Sequence, residues 1–134
     1  MTLPDSNPLA REKIILFVDD DEVVLYCLQK AFRRAGGYRT ITATNILDAL
    51  DLVNKNSDLY FIVSDINLKE ESGIDLFLSL RRMGIDIPFM FMSGQLDAKN
   101  LLALLGPADE GRYVAVEKPI SEKDIIMAMS AIAC

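Results

Sequence analysis

The 134-residue chain contains no histidine and only two cysteines. Without imidazole there is no histidine base, metal ligand or phosphate carrier, so a bound metal must be held by oxygen, which favours hard cations such as Mg²⁺. Cys27 and Cys134 have no paired spacing, which argues against a disulfide framework or a zinc site and predicts reduced thiols. Cys27 is read as a packing residue. No apolar run is long enough to cross a bilayer, and the first dozen residues lack the charged-then-apolar pattern of a secretory signal. A cytoplasmic protein without membrane association is the expectation. Positive charge is also scarce: 14 Lys and Arg face 20 Asp and Glu, a net charge of −6. That balance argues against a general nucleic-acid-binding surface, whose affinity rests on neutralising phosphates.

Apolar residues, in contrast, make up 51% of the chain, enough for the core of one compact domain. Residues 1–12 hold two of the five prolines and little periodic pattern, and read as a mobile leader before a single folded domain over 13–134. Lys13 to Val18 is an apolar run ending in Asp19, Asp20, Asp21 and Glu22. Val24, Leu28, Ala31 and Ala35 then recur at helical spacing, with Cys27 and Phe32 beside them, until Gly36 and Gly37. Tyr38 to Ala43 alternates as a strand, and Ile46, Leu47, Leu50 and Val53 carry a second helix. Leu59 to Val63 suits a strand buried on both faces, and it stops where Ser64 and Asp65 arrive.

Gly73 opens a third helix with Ile74, Phe77, Leu78 and Leu80 as its apolar members, and Arg81 and Arg82 suit its carboxyl end. Ile87 to Met92 is a fourth strand ending at Ser93-Gly94, and Leu96 to Leu105 is leucine-rich and helical in pattern. Tyr113 to Val116 forms a fifth strand ending in Glu117-Lys118-Pro119, after which Ser121 caps a last helix with Ile125, Met129 and Ile132 facing inward. Five strand-then-helix repeats predict an α/β fold with a parallel sheet covered on both faces. Its carboxyl edge, where ligands bind in such sheets, collects the acidic cluster, Asp65, Ser93 and Lys118. One or two acidic residues after the first strand are explained by helix capping. Three consecutive aspartates exceed that need, and a divalent cation is the economical relief of their repulsion.

This arrangement resembles a receiver domain of the two-component response regulators over Lys13 to about Ala133. The matching residues are Asp19 and Asp20 after the first strand, Asp65 after the third, Ser93 after the fourth and Lys118-Pro119 after the fifth. The resemblance implies a flavodoxin-like, doubly wound (βα)5 sandwich around a five-stranded parallel sheet. It also implies a signalling domain, not an enzyme acting on an outside substrate, that assists its own phosphorylation. Asp65 is then the acceptor of a phosphoryl group from a phosphohistidine on a sensor histidine kinase or a histidine phosphotransfer protein. Mg²⁺ is held by Asp20 and Asp65, by Asp19 through water, and by the backbone carbonyl of Asn67. Lys118 places its ammonium on the acidic cluster and then on the phosphoryl group, Ser93 donates its hydroxyl to a phosphoryl oxygen, and Lys118-Pro119 resembles the family's cis-proline turn. A stand-alone, single-domain regulator acting on a downstream protein target is the expectation, since no output unit follows the last helix.

Several positions depart from the family's pattern. The aromatic residue that reports phosphorylation two or three positions before the lysine is replaced by Ala115 and Val116, and Tyr113 lies further upstream. The segment Gly106 to Arg112 is longer and more charged than the usual small-residue loop, Lys69 stands for a common proline, and Ile120 for the aromatic that often follows Lys-Pro. Asn67 and Gln95 occupy positions that, in the family the chain resembles, influence phosphoryl lifetime. The competing reading is a phosphorylation-independent, receiver-like interaction module, which the missing aromatic favours and the retained Asp65, acidic pair and Lys118 oppose. A haloacid-dehalogenase phosphatase, to which Asp19 and Asp21 offer a D-x-D spacing, leaves Asp65 unexplained. A flavin-binding flavodoxin needs amides and hydroxyls where this first strand leads into carboxylates.

Overall fold

The computed structural model describes residues 12–94, 105 and 112–133. Its elements are β1 (Lys13–Val18), α1 (Glu22–Ala35), β2 (Tyr38–Ala43), α2 (Ile46–Lys55), β3 (Leu59–Asp65), β4 (Asn67–Leu68), β5 (Glu71–Ser72), α3 (Gly73–Arg82), β6 (Phe89–Ser93), β7 (Tyr113–Glu117) and α4 (Glu122–Ile132). The leader expected over 1–12 lies outside the described residues except for Glu12. So do the helix expected over Leu96 to Leu105 except for Leu105, Gln95, and the loop Gly106 to Arg112 except for Arg112.

Five strands pair in parallel in the order β2-β1-β3-β6-β7, the doubly wound, flavodoxin-like sheet expected from the alternating pattern. Strand side chains alternate between faces, and both faces are apolar here. Ile14, Leu16, Val18, Ile62, Phe89 and Phe91 pack with Ala49 and Val53 of α2 and Leu76, Phe77 and Leu80 of α3. Ile15, Phe17, Phe61, Val63, Met90 and Met92 pack with Leu25, Leu28 and Phe32 of α1 and Ile125, Ala128 and Met129 of α4. That double burial is why these strands read as continuous apolar runs.

Five elements differ from the sequence expectation. β3 continues through Ser64 and Asp65, because Ser64 pairs with Val18 and Phe91 and Asp65 pairs with Met92. β6 begins at Phe89 and not at Ile87: Pro88 has no N–H for a ladder, and the Ile87 carbonyl is taken by the Arg81 guanidinium at 3.0 Å. The buried stripe of α1 is Leu25-Leu28-Phe32, whereas Ala35 and Cys27 are exposed. Cys27 is therefore not a packing residue of the core; with Val23, Val24, Pro119 and Ile120 it lines an open apolar groove. In α2 the buried pair is Ala49 and Val53, and Leu47 is turned to solvent. In α3, Leu76 joins Phe77 and Leu80 inside, with Ile74 and Leu78 half-buried.

The caps follow the residues at the helix starts. Asp21, Asn45, Ser72 and Ser121 each accept a backbone N–H from the first turn of the following helix, and Ser121 forms a reciprocal box with Asp124. Asp21 is thus the member of the acidic run used for capping.

Candidate functional site

The carboxyl ends of β1, β3, β6 and β7 converge because parallel strands all point the same way. Asp19 follows β1 immediately, Asp65 and Ser93 are the last residues of β3 and β6, and Lys118 follows β7. Backbone bonds fix these ends to one another. Ile66 N–H donates to the Met92 carbonyl at 2.9 Å, and Lys118 N–H donates to the Ser93 carbonyl at 2.7 Å. The Lys118-Pro119 peptide is cis.

Asp65 is nearly buried, with 6% of its surface exposed, and both carboxylate oxygens are engaged. Oδ1 accepts the Asn67 amide at 3.0 Å, and Oδ2 accepts the Lys118 ammonium at 2.7 Å. Asp19 is 1% exposed; its Oδ1 accepts the Asp21 amide at 2.9 Å. Asp19 Oδ2 has no hydrogen-bond partner and lies 3.7 Å from Lys118 Nζ. Asp20 is exposed, yet Asp19, Asp20 and Asp65 each offer an oxygen, and the three lie within 4.8 Å of one another. Ser93 is buried at the same edge.

Burial pushes the Asp19 carboxyl above its ordinary value, with the Asp65 and Asp20 carboxylates adding to the rise and the Asp21 amide and Lys118 opposing it. Burial works against the Lys118 ammonium, but its hydrogen bond to Asp65 and the charges of Asp65 and Asp19 outweigh that and hold it above the ordinary lysine value. Lys118 therefore stays charged. One ammonium faces three carboxylates, and one buried carboxylate oxygen lacks a donor. An all-oxygen donor set of this kind fits a hard divalent cation such as Mg²⁺.

Sequence reasoning missed parts of the site's frame. Ser64, fully buried, donates its hydroxyl to the Asp65 carbonyl at 3.0 Å. Gly73 does more than open α3: a Cβ there would press on the Asp65 carbonyl and stand 2.8 Å from Ser64 Oγ. Its own N–H holds the Ile66 carbonyl at 2.8 Å. The stretch after Asp65 is a two-by-two hairpin of β4 and β5. The Ser72-Gly73 pair before an apolar run was the available signal for the Gly73 contact; nothing in the pattern signalled the hairpin. Ala115 pairs with Phe91 on the neighbouring strand, and Tyr113 packs edge-on against Phe77 and Phe91 with ring centres 5.6 and 5.8 Å away.

Residues 15–130 match the family model of the response regulator receiver domain. The response regulator SaeR of Staphylococcus aureus is 27% identical over 117 residues, covering 87% of this chain and 48% of SaeR. The chain thus spans about half the length of the curated relatives it matches. The chemotaxis protein CheY4 of Vibrio cholerae shares the fold, with a TM-score of 0.76 at 19% identity over 90% of this chain and 98% of that one. A response regulator of Burkholderia pseudomallei, solved with a phosphorylated aspartic acid, a calcium ion and citrate, is 25% identical with a TM-score of 0.73, over 90% of this chain and 66% of that one. With the family match spanning nearly the whole sheet and its helices, the chain belongs to the response regulator receiver domains, the signalling modules of two-component systems.

Proposed function

We propose that Asp65 accepts a phosphoryl group from a phosphohistidine of a sensor histidine kinase or histidine phosphotransfer protein, in a Mg²⁺-dependent reaction. The phosphorylated domain then signals by binding a protein target or by passing the phosphoryl group on. The observation that carries this reading is the Lys118 ammonium 2.7 Å from Asp65, beside the Asp19 and Asp20 carboxylates and an unpartnered buried oxygen.

In the transfer, an Asp65 oxygen attacks phosphorus and forms a P–O bond. The P–N bond of the donor breaks, and its electron pair stays on the imidazole nitrogen, which takes up a proton. Phosphoryl transfer depends mainly on positioning and on positive charge around the phosphoryl oxygens. The Asp19, Asp20 and Asp65 carboxylates and the Asn67 carbonyl would hold Mg²⁺. When bound, it supplies positive charge to the phosphoryl oxygens. Lys118 turns from Asp65 to the arriving phosphoryl group, and Ser93 offers it a hydroxyl. The Asn67 amide fixes the carboxylate plane through Oδ1.

A phosphorylation-independent interaction module is the second reading, favoured by the small Ala115 where an aromatic reporter is expected. Intact mass after incubation with Mg²⁺ and phosphoramidate separates the two. The proposal expects one added phosphoryl group, absent with EDTA and absent from Asp65→Asn. No gain in a wild-type protein that binds Mg²⁺ contradicts it.

A further inference from the structure

We infer that Glu71 is a positioning residue for the site: its carboxylate fastens the hairpin that follows Asp65 to the amino end of α2 and so holds Asn67 beside the acidic cluster. Its consequence for cation binding rests on the Mg²⁺ reading above; its consequence for Asn67 does not.

Glu71 Oε2 accepts the Ile46 amide at 3.1 Å, across 25 residues of sequence. Ile46 is the first residue of α2, so its N–H has no partner within the helix. The N-cap Asn45 satisfies a different amide, that of Asp48, at 2.8 Å. A carboxylate at this end also complements the helix dipole, and its hydrogen bond is charge-assisted.

The hairpin it fastens has little stability of its own. β4 and β5 contribute two residues each, Asn67 opposite Ser72 and Leu68 opposite Glu71, far short of an independently stable unit. Its turn holds Glu70 at φ 63°, in the left-handed region that L side chains disfavour. The hairpin is therefore set by its anchors. Ser72 and Gly73 tie one end to α3 and to Ile66, and Leu68 of β4 is buried. Glu71 is the anchor toward α2. Asn67, the residue across from Ser72, bonds the Asp65 carboxylate, so motion of the hairpin is motion at the acidic site.

Three variants of the full chain test this: Glu71→Ala, Glu71→Gln, which keeps an acceptor oxygen but no charge, and Asn45→Ala, which weakens the α2 start without touching the hairpin. Amide hydrogen exchange at Ile46 and Asn67 is followed without metal, and Mg²⁺ affinity by calorimetry. Loss of one such bond predicts exchange at both amides about 3–10-fold faster in Glu71→Ala, and Mg²⁺ binding weaker by about the same factor. Glu71→Gln, whose neutral oxygen makes a weaker bond, falls between wild type and Glu71→Ala at both amides, and Asn45→Ala lowers the melting midpoint but leaves Asn67 exchange and Mg²⁺ affinity unchanged. Wild-type exchange at Asn67 in Glu71→Ala overturns the inference. So does Glu71→Gln behaving like the Ala variant, which would assign the effect to charge alone, or Asn45→Ala reproducing the loss. Faster Asn67 exchange in Glu71→Ala, in a protein that binds no Mg²⁺, upholds the positioning role and overturns the cation reading.

Discussion

Replacing Asp19 by asparagine probes the electrostatics of the site in its metal-free state. Asp19 is 1% exposed, and its Oδ2 lacks a hydrogen-bond partner. At an effective dielectric constant of about 20, the Lys118 ammonium at 3.7 Å attracts that carboxylate by about 4.5 kcal/mol. The Asp65 carboxylate, with an oxygen within 4.8 Å, repels it by at least about 3.5 kcal/mol. Asp20 adds a smaller repulsion because water screens it. These pair interactions nearly cancel, which leaves the cost of an unpartnered buried oxygen, about 1–3 kcal/mol. Asparagine keeps an oxygen for the Asp21 amide and carries no charge. Asp19→Asn is therefore expected to stabilise the metal-free protein at pH 7 by about 1–2 kcal/mol, raising the melting midpoint by about 4–7 °C.

The pH dependence has a definite sign. The Asp19 carboxyl titrates above its ordinary 3.8 in the folded state, so the native protein binds that proton more tightly than the unfolded chain. The stability this lends is complete below 3.8 and is lost as pH rises through the folded value. The advantage of asparagine is accordingly absent in acid and full at neutral pH. Scanning calorimetry in EDTA across this range measures it, and a parallel series with Mg²⁺ should stabilise wild type more than the variant. A variant less stable than wild type at neutral pH without metal would refute the reasoning, because the attraction of Lys118 would then dominate.

Three other outcomes follow from the same geometry. Gly73→Ala places a methyl group against the Asp65 carbonyl and Ser64 Oγ and should cost about 1–3 kcal/mol in urea unfolding; unchanged stability would show that the close approach relaxes freely. Lys118→Met removes a cation 2.7 Å from Asp65, so Mg²⁺ affinity by calorimetry should rise on the order of tenfold while phosphoryl acceptance falls; weaker Mg²⁺ binding would contradict this. In a Cys134→Ser background, native Cys27 should react with Ellman's reagent as an exposed thiol; protection comparable to a core cysteine would contradict its placement.

Much of the frame is legible in the sequence because strand ends are where apolar runs meet polar residues. The runs ending at Val18, Val63, Met92 and Val116 each deliver a polar side chain to one edge, and parallel pairing makes that a single site. Helix faces were less legible. In α1 the apolar residues occupy two stripes, and spacing alone does not separate the core stripe of Leu25, Leu28 and Phe32 from the groove-lining stripe that includes Val23 and Cys27. Leu47 shows the same ambiguity in α2, where Ala49 and Val53 take the buried places. The hairpin and the Glu71 bond were illegible for another reason. Each joins residues whose proximity is created by the fold, and no local pattern encodes it.

The most direct test of the central claim is to locate the phosphoryl group. Protein phosphorylated with phosphoramidate and Mg²⁺ is treated with borohydride, which reduces an acyl phosphate to the alcohol, and peptides are sequenced by mass spectrometry. The account predicts homoserine at position 65 alone, and none when Mg²⁺ is withheld. Reduction at Asp19 or Asp20, or a phosphorylated protein with position 65 unmodified, would contradict it.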